Sequence, residues 1–119
     1  MNKRLAIAQQ YNKAFENNKN IILPFIKDDR TTSWHLYVIK VKNRDEIIEN
    51  LKDVGIGCSV HFIPIHKHPY YKDRYQLEDS NYPIANKVFE QSLSLPIYPD
   101  MTVQEIQYVI DNVLEIVDL

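Results

Sequence analysis

Three histidines, His61, His66 and His68, crowd among Pro64, Pro69, Tyr70 and Tyr71 in the run Gly55-Ile-Gly-Cys-Ser-Val-His-Phe-Ile-Pro-Ile-His-Lys-His-Pro-Tyr-Tyr. Imidazole nitrogens are good zinc ligands, and three of them around an open position can activate water. The spacing is a poor zinc pattern, because His61 points across a strand while His66 and His68 sit on a loop, and no metal is expected here. Two other readings compete. The histidines are either solvated and packed on the tyrosines, or they supply polar contacts to a ligand in a composite pocket. A proline-stiffened loop leaving a buried strand is where binding groups tend to sit, which favours the ligand.

Other candidate chemistry is weaker. Cys58, the single cysteine, stands between Gly57 and Ser59 at a strand start and reads as a small buried filler. His35 lies in an apolar run and is expected to be a hydrogen-bonded core residue, with Trp34 beside it in the core. Asp28, Asp29, Asp45, Glu46, Glu49 and Glu90 are scattered over helix surfaces and loops, so no pair suggests acid and base roles. There is no glycine-rich phosphate loop, no nucleophile elbow and no lysine in a Schiff-base context. Catalysis by this chain alone is not expected.

The elements that must position the loop follow from hydrophobic spacing. A first helix is predicted from about Lys3 to Asn17, with Leu5, Ala8, Tyr11 or Asn12, and Phe15 on its apolar face. Ile21 to Phe25, broken by Pro24, suits an edge strand or an extended segment laid against the core, and Lys27 to Ser33 a loop. Trp34 to Val41 is apolar on both alternating faces, as in a central strand covered on two sides. Asn43 and Glu46 signal a capped helix from Arg44 to about Val54, ended by Gly55 in the left-handed region. A second strand at Cys58 to Phe62 leads into a loop reaching Tyr82. Pro83 opens a helix whose buried side is Ile84, Ala85, Val88 and Phe89. A third strand spans Leu93 to Ile97. Thr102 and Glu105 then form a capping box before Val103, Ile106, Ile110, Val113 and Val117 repeat at helical spacing.

The result is one α+β domain of 119 residues: a small, mainly antiparallel sheet of about three strands with about four helices on one face. The sheet's other face is expected to be covered by another domain or a partner chain. With 45% hydrophobic and 25% charged residues and a net charge of −2, the chain lacks the basic face that nucleic acid requires. It also lacks a membrane-length apolar run and a secretory leader, which points to the cytoplasm. An RNA-recognition sheet is excluded, since Trp34 to Val41 has no base-stacking pattern.

Taken together, Trp34-His-Leu-Tyr-Val-Ile, the Arg44-Asp-Glu helix start, the Gly55 to Tyr71 run, Ser92-Leu-Ser-Leu-Pro-Ile-Tyr-Pro and the Met101-Thr102 helix start resemble the C-terminal small domain of the DegT/DnrJ/StrS aminotransferases. The resemblance covers nearly the whole chain. It implies the small-domain fold of fold type I pyridoxal phosphate enzymes, which pass an amino group, usually from glutamate, to a nucleotide-linked keto sugar for polysaccharide, glycan or antibiotic synthesis. It also implies an N-terminal large domain, absent here, that holds pyridoxal phosphate and the Schiff-base lysine, and a homodimeric parent. No cofactor is then expected on this chain. Carried over, His61 would bond the sugar or a phosphate oxygen, Phe62, Ile63 and Pro64 would shape an apolar wall, and His66, His68 and Tyr70 would be outer contacts or packing. The alternative is a free-standing binding or interaction module that keeps the fold without the chemistry.

Overall fold

The computed structural model describes residues 2–119. Helix α1 runs Asn2–Phe15, strand β1 Tyr37–Lys40, α2 Arg44–Asp53, α3 Pro69–Tyr75, α4 Pro83–Gln91, β2 Ser92–Leu95 and α5 Val103–Val117. Single 3-10 turns lie at Ile65–Lys67 and Asp79–Asn81. The α+β expectation holds, with five α-helices rather than four among the described residues.

The regular sheet has two antiparallel strands, with Tyr37 opposite Leu95 and Ile39 opposite Leu93. Of the two outer segments, Ile21 to Phe25 takes the extended alternative with a single bridge, Ile22 to Lys40, and the strand expected at Cys58 to Phe62 is reduced to a single bridge, Ser59 to Ser94. Pro24, the next position after Ile22 that would face β1, lacks the N–H that would extend the first ladder. Strand β1 also starts three residues later than predicted. Trp34 adopts φ 54, donating its N–H to Thr32 Oγ1, and a left-handed residue breaks the pleat. Trp34 still reaches the core, whereas His35 is exposed, contrary to the expected buried role.

Strand alternation turns Tyr37 and Ile39 into a core shared with α1, α2 and α5. Ile7, Ala8, Tyr11 and Phe15 line it from α1, so the inward stripe uses Ile7 where Leu5 was expected. Ile106, Val109, Ile110 and Val113 line it from α5, leaving Val103 outside. Tyr11 sits 4.9 Å from Tyr37 and donates its hydroxyl to the Pro96 carbonyl at 2.6 Å. Arg44, buried at the start of α2, donates from Nη1 to the carbonyls of Phe89 and Ser92 at 2.7 and 2.8 Å. It thereby ties α2 to the junction of α4 and β2. Helix α4 contributes no buried residue, and Ile84 is 79% exposed, so the predicted inward face does not meet the core. Among the described residues no helix is long and apolar enough to cross a membrane.

Helix ends follow local chemistry. Asn43 takes φ 55 and makes no side-chain cap, contrary to expectation; it turns the chain instead, a conformation Asn tolerates. The Thr102 and Glu105 capping box is formed, with Thr102 Oγ1 accepting from the Glu105 N–H at 3.1 Å and Glu105 accepting from the Thr102 N–H at 2.8 Å. That backbone donor, followed by the Tyr98 hydroxyl, holds the Glu105 carboxyl below its usual range. A depressed folded pKa stabilises above the free carboxylate value, about 4.3, and the contribution disappears as pH falls through the folded pKa. Replacing Thr102 by Ala is expected to cost about 1 kcal/mol at neutral pH, read as a lower urea midpoint. An unchanged midpoint would show that the cap adds nothing.

Candidate substrate-facing loop

The loop is delivered by a sharp helix exit. Gly55, at φ 84, ends α2 with its N–H on the Lys52 carbonyl and the Ile56 N–H on the Leu51 carbonyl, as predicted for a glycine there. Ile56 then anchors in the core. Cys58 is half-buried, and burial pushes its thiol up to about 11, so it is a packing residue rather than a thiolate nucleophile.

After the Ser59 bridge, His61 lies beside β2 with Nδ1 2.9 Å from Ser94 Oγ, and its ring packs edge-on to Phe62 at 4.9 Å. Phe62 is 75% exposed, and Ile63 and Ile65 are exposed as well, so a run of apolar side chains faces outward. Pro64 is half-buried and its carbonyl accepts the Lys67 N–H, which starts the first 3-10 turn. His68 is exposed and donates from Nε2 to the Ile63 carbonyl at 3.0 Å. Its ring meets Tyr71 edge-on, and Tyr71 in turn meets Tyr70, which is itself exposed. His61, Phe62 and Ile63 thus adjoin one surface, continued by His68 and Tyr70.

His66 stands apart. It is 4% exposed, with Nε2 2.6 Å from Asn86 Oδ1 and its ring stacked 4.4 Å from Tyr82. The segment expected to be loop as far as Tyr82 in fact contains α3 and both 3-10 turns. Its second turn is pinned by Lys67, which bonds Asp79 at 3.1 Å and holds that carboxyl below its usual range. Ser94, Asn86 and Tyr82 escaped the sequence reading as partners of the histidines. The alternation Ser92-Leu-Ser-Leu does signal serines on the face opposite the core.

Two clefts lie elsewhere. One of about 350 Å³ includes Lys19, Lys40 and Lys42 but no aromatic side chain, and one of about 560 Å³ includes Tyr98 and Tyr108 but no lysine. Every described lysine is exposed except Lys40 and Lys67, which are half-buried. A pyridoxal phosphate site needs a desolvated lysine beside a ring-stacking and phosphate-holding wall. The described residues bring no such set together, so the group does not fit this chain. Among them no cluster of three or more His, Cys, Asp or Glu is placed to hold a metal ion.

A profile of the DegT/DnrJ/EryC1/StrS aminotransferase family matches residues 1–114. The chain is 41% identical over 122 residues to the spore coat polysaccharide biosynthesis protein SpsC of Bacillus subtilis, covering 97% of this chain and 31% of that protein. It is 34% identical over 114 residues to the dTDP-3-amino-3,6-dideoxy-alpha-D-galactopyranose transaminase of Aneurinibacillus thermoaerophilus, covering 93% and 30%. The crystal structure of S. venezuelae DesV in complex with a ketimine intermediate aligns with a TM-score of 0.93 at 30% identity, over 99% of this chain and 32% of DesV. The chain therefore spans less than a third of the length of these relatives.

Proposed function

The chain belongs to the DegT/DnrJ/EryC1/StrS aminotransferase family, and from that premise we propose that it is the C-terminal small domain of a pyridoxal phosphate enzyme that aminates a nucleotide-linked keto sugar. The observation that carries this reading is the exposed wall of Phe62, Ile63 and Ile65 next to a histidine tethered to the sheet. Orientation, not proton transfer, is what such a wall supplies. If the Ser94 hydroxyl donates to His61 Nδ1, the proton sits on Nε2, which then points a donor at a sugar or phosphate oxygen.

The remaining machinery lies, in this reading, on an N-terminal large domain that binds the cofactor and the lysine, in a cytoplasmic homodimer using glutamate as amino donor. Similarity to the named transaminase and to SpsC supports a sugar substrate used in polysaccharide synthesis.

His61→Ala, introduced into the enzyme completed by that large domain, is expected to raise the KM for the sugar nucleotide about tenfold and leave kcat within about twofold, the pattern of lost binding. Steady-state kinetics over a panel of sugar nucleotides checks it. A large fall in kcat at unchanged KM would assign His61 to the chemical step instead.

A further inference from the structure

We propose that His66 is a positioning residue: a buried clasp on Asn86 and Tyr82 that holds the Phe62 to Ile65 wall in place without touching substrate. The inference rests on the reading of that wall as substrate-facing. The Asn86 amide is oriented by its Nδ2, which donates to the Asp79 carbonyl at 2.7 Å and so turns Oδ1 toward His66. Oδ1 only accepts, so His66 Nε2 carries a proton and donates. Asp79 Oδ1 lies 3.7 Å from the same nitrogen, and its other oxygen is held by Lys67. One imidazole thus joins the first 3-10 turn, the second 3-10 turn and α4.

Few other contacts hold the wall. Within it, Pro64 and Ile65 accept from Lys67 and His68, the two residues that follow His66, and Ile63 accepts from the His68 ring. Phe62, Ile63 and Ile65 each keep half or more of their surface exposed. Their placement therefore depends on what fixes the turn behind them, and His66 is the buried side chain in that turn. A cluster so placed sets the shape a ligand meets, while the ligand contacts belong to its neighbours.

Hydrogen exchange on the chain compares wild type with His66→Ala, His66→Gln and Asn86→Ala. In His66→Ala the Lys67 and His68 amides should exchange about tenfold faster, the factor a lost buried hydrogen bond carries, while the Ile39 and Leu51 amides keep their rates. His66→Gln, which keeps a donor at similar reach, should recover most of the protection, and Asn86→Ala should mimic His66→Ala. If His66→Ala fails to fold, the Gln and Asn86 variants decide the matter. Unchanged exchange at 67 and 68, or acceleration shared equally by the core, would overturn the clasp. In the completed enzyme, His66→Ala should raise the sugar-nucleotide KM with kcat retained, and His66→Gln should restore it. Loosened exchange with an unchanged KM would overturn the positioning role. An enzyme that binds no sugar nucleotide would sink the wall reading, and the exchange result would still decide the clasp.

Discussion

Tyr11→Ala is expected to destabilise the chain by about 3 to 5 kcal/mol, a large share of a small domain's total stability. The ring is fully buried, stacked on Phe15 and tilted against Tyr37, so truncation leaves a cavity at the meeting of α1 and β1. It also removes the 2.6 Å bond to the Pro96 carbonyl at the exit of β2. Tyr11→Phe separates the two effects, keeping the packing and losing the hydroxyl, at an expected cost of about 1 to 3 kcal/mol. Urea unfolding of the two variants checks the order; a Phe variant as costly as the Ala variant would mean that the hydrogen bond, not the packing, dominates. Burial also raises the hydroxyl pKa values of Tyr11 and Tyr37 in the fold. A raised folded pKa stabilises below the free phenol value, about 10, and its contribution is lost as pH climbs past that value toward the folded one. Stability should therefore fall in strong alkali, and Tyr11→Phe should weaken that dependence.

Mixed with pyridoxal phosphate and glutamate, the chain by itself is expected to show no shifted cofactor absorbance and no amino transfer above the cofactor-only background. Schiff-base formation needs an unprotonated amine at neutral pH, and enzymes obtain one by desolvating a lysine or placing it beside another cation. Here the lysines are exposed or half-buried, and Lys67 is paired with Asp79. Absorbance titration and a glutamate-dependent turnover assay test this. Stoichiometric cofactor capture would refute both the assignment of the lysine to another domain and the division of labour proposed above. Supplying a cofactor-binding large domain of the same family should restore turnover.

Much of this protein is decided within a few residues of chain. The Gly55 helix exit, the Thr102 and Glu105 capping box and the proline start of α4 were legible because each depends on a partner at most five positions away or on the residue's own backbone preference. The family resemblance was legible too, since it rests on short motifs that follow one another in order along the chain. Other features were not available from the sequence. Ile84 and Val88 have the spacing of a buried face, yet they find no core to meet. His35 lies in an apolar run and His66 beside Lys67 and His68, yet His35 is exposed and His66 buried. What separates them is a backbone turn at Trp34 and a carboxamide twenty residues downstream, at Asn86. His61 likewise meets Ser94 across 33 positions. Hydrogen-bond partners that far apart along the chain are chosen by the packing of helices and strands, because a buried polar group must find a donor or acceptor wherever the fold brings one.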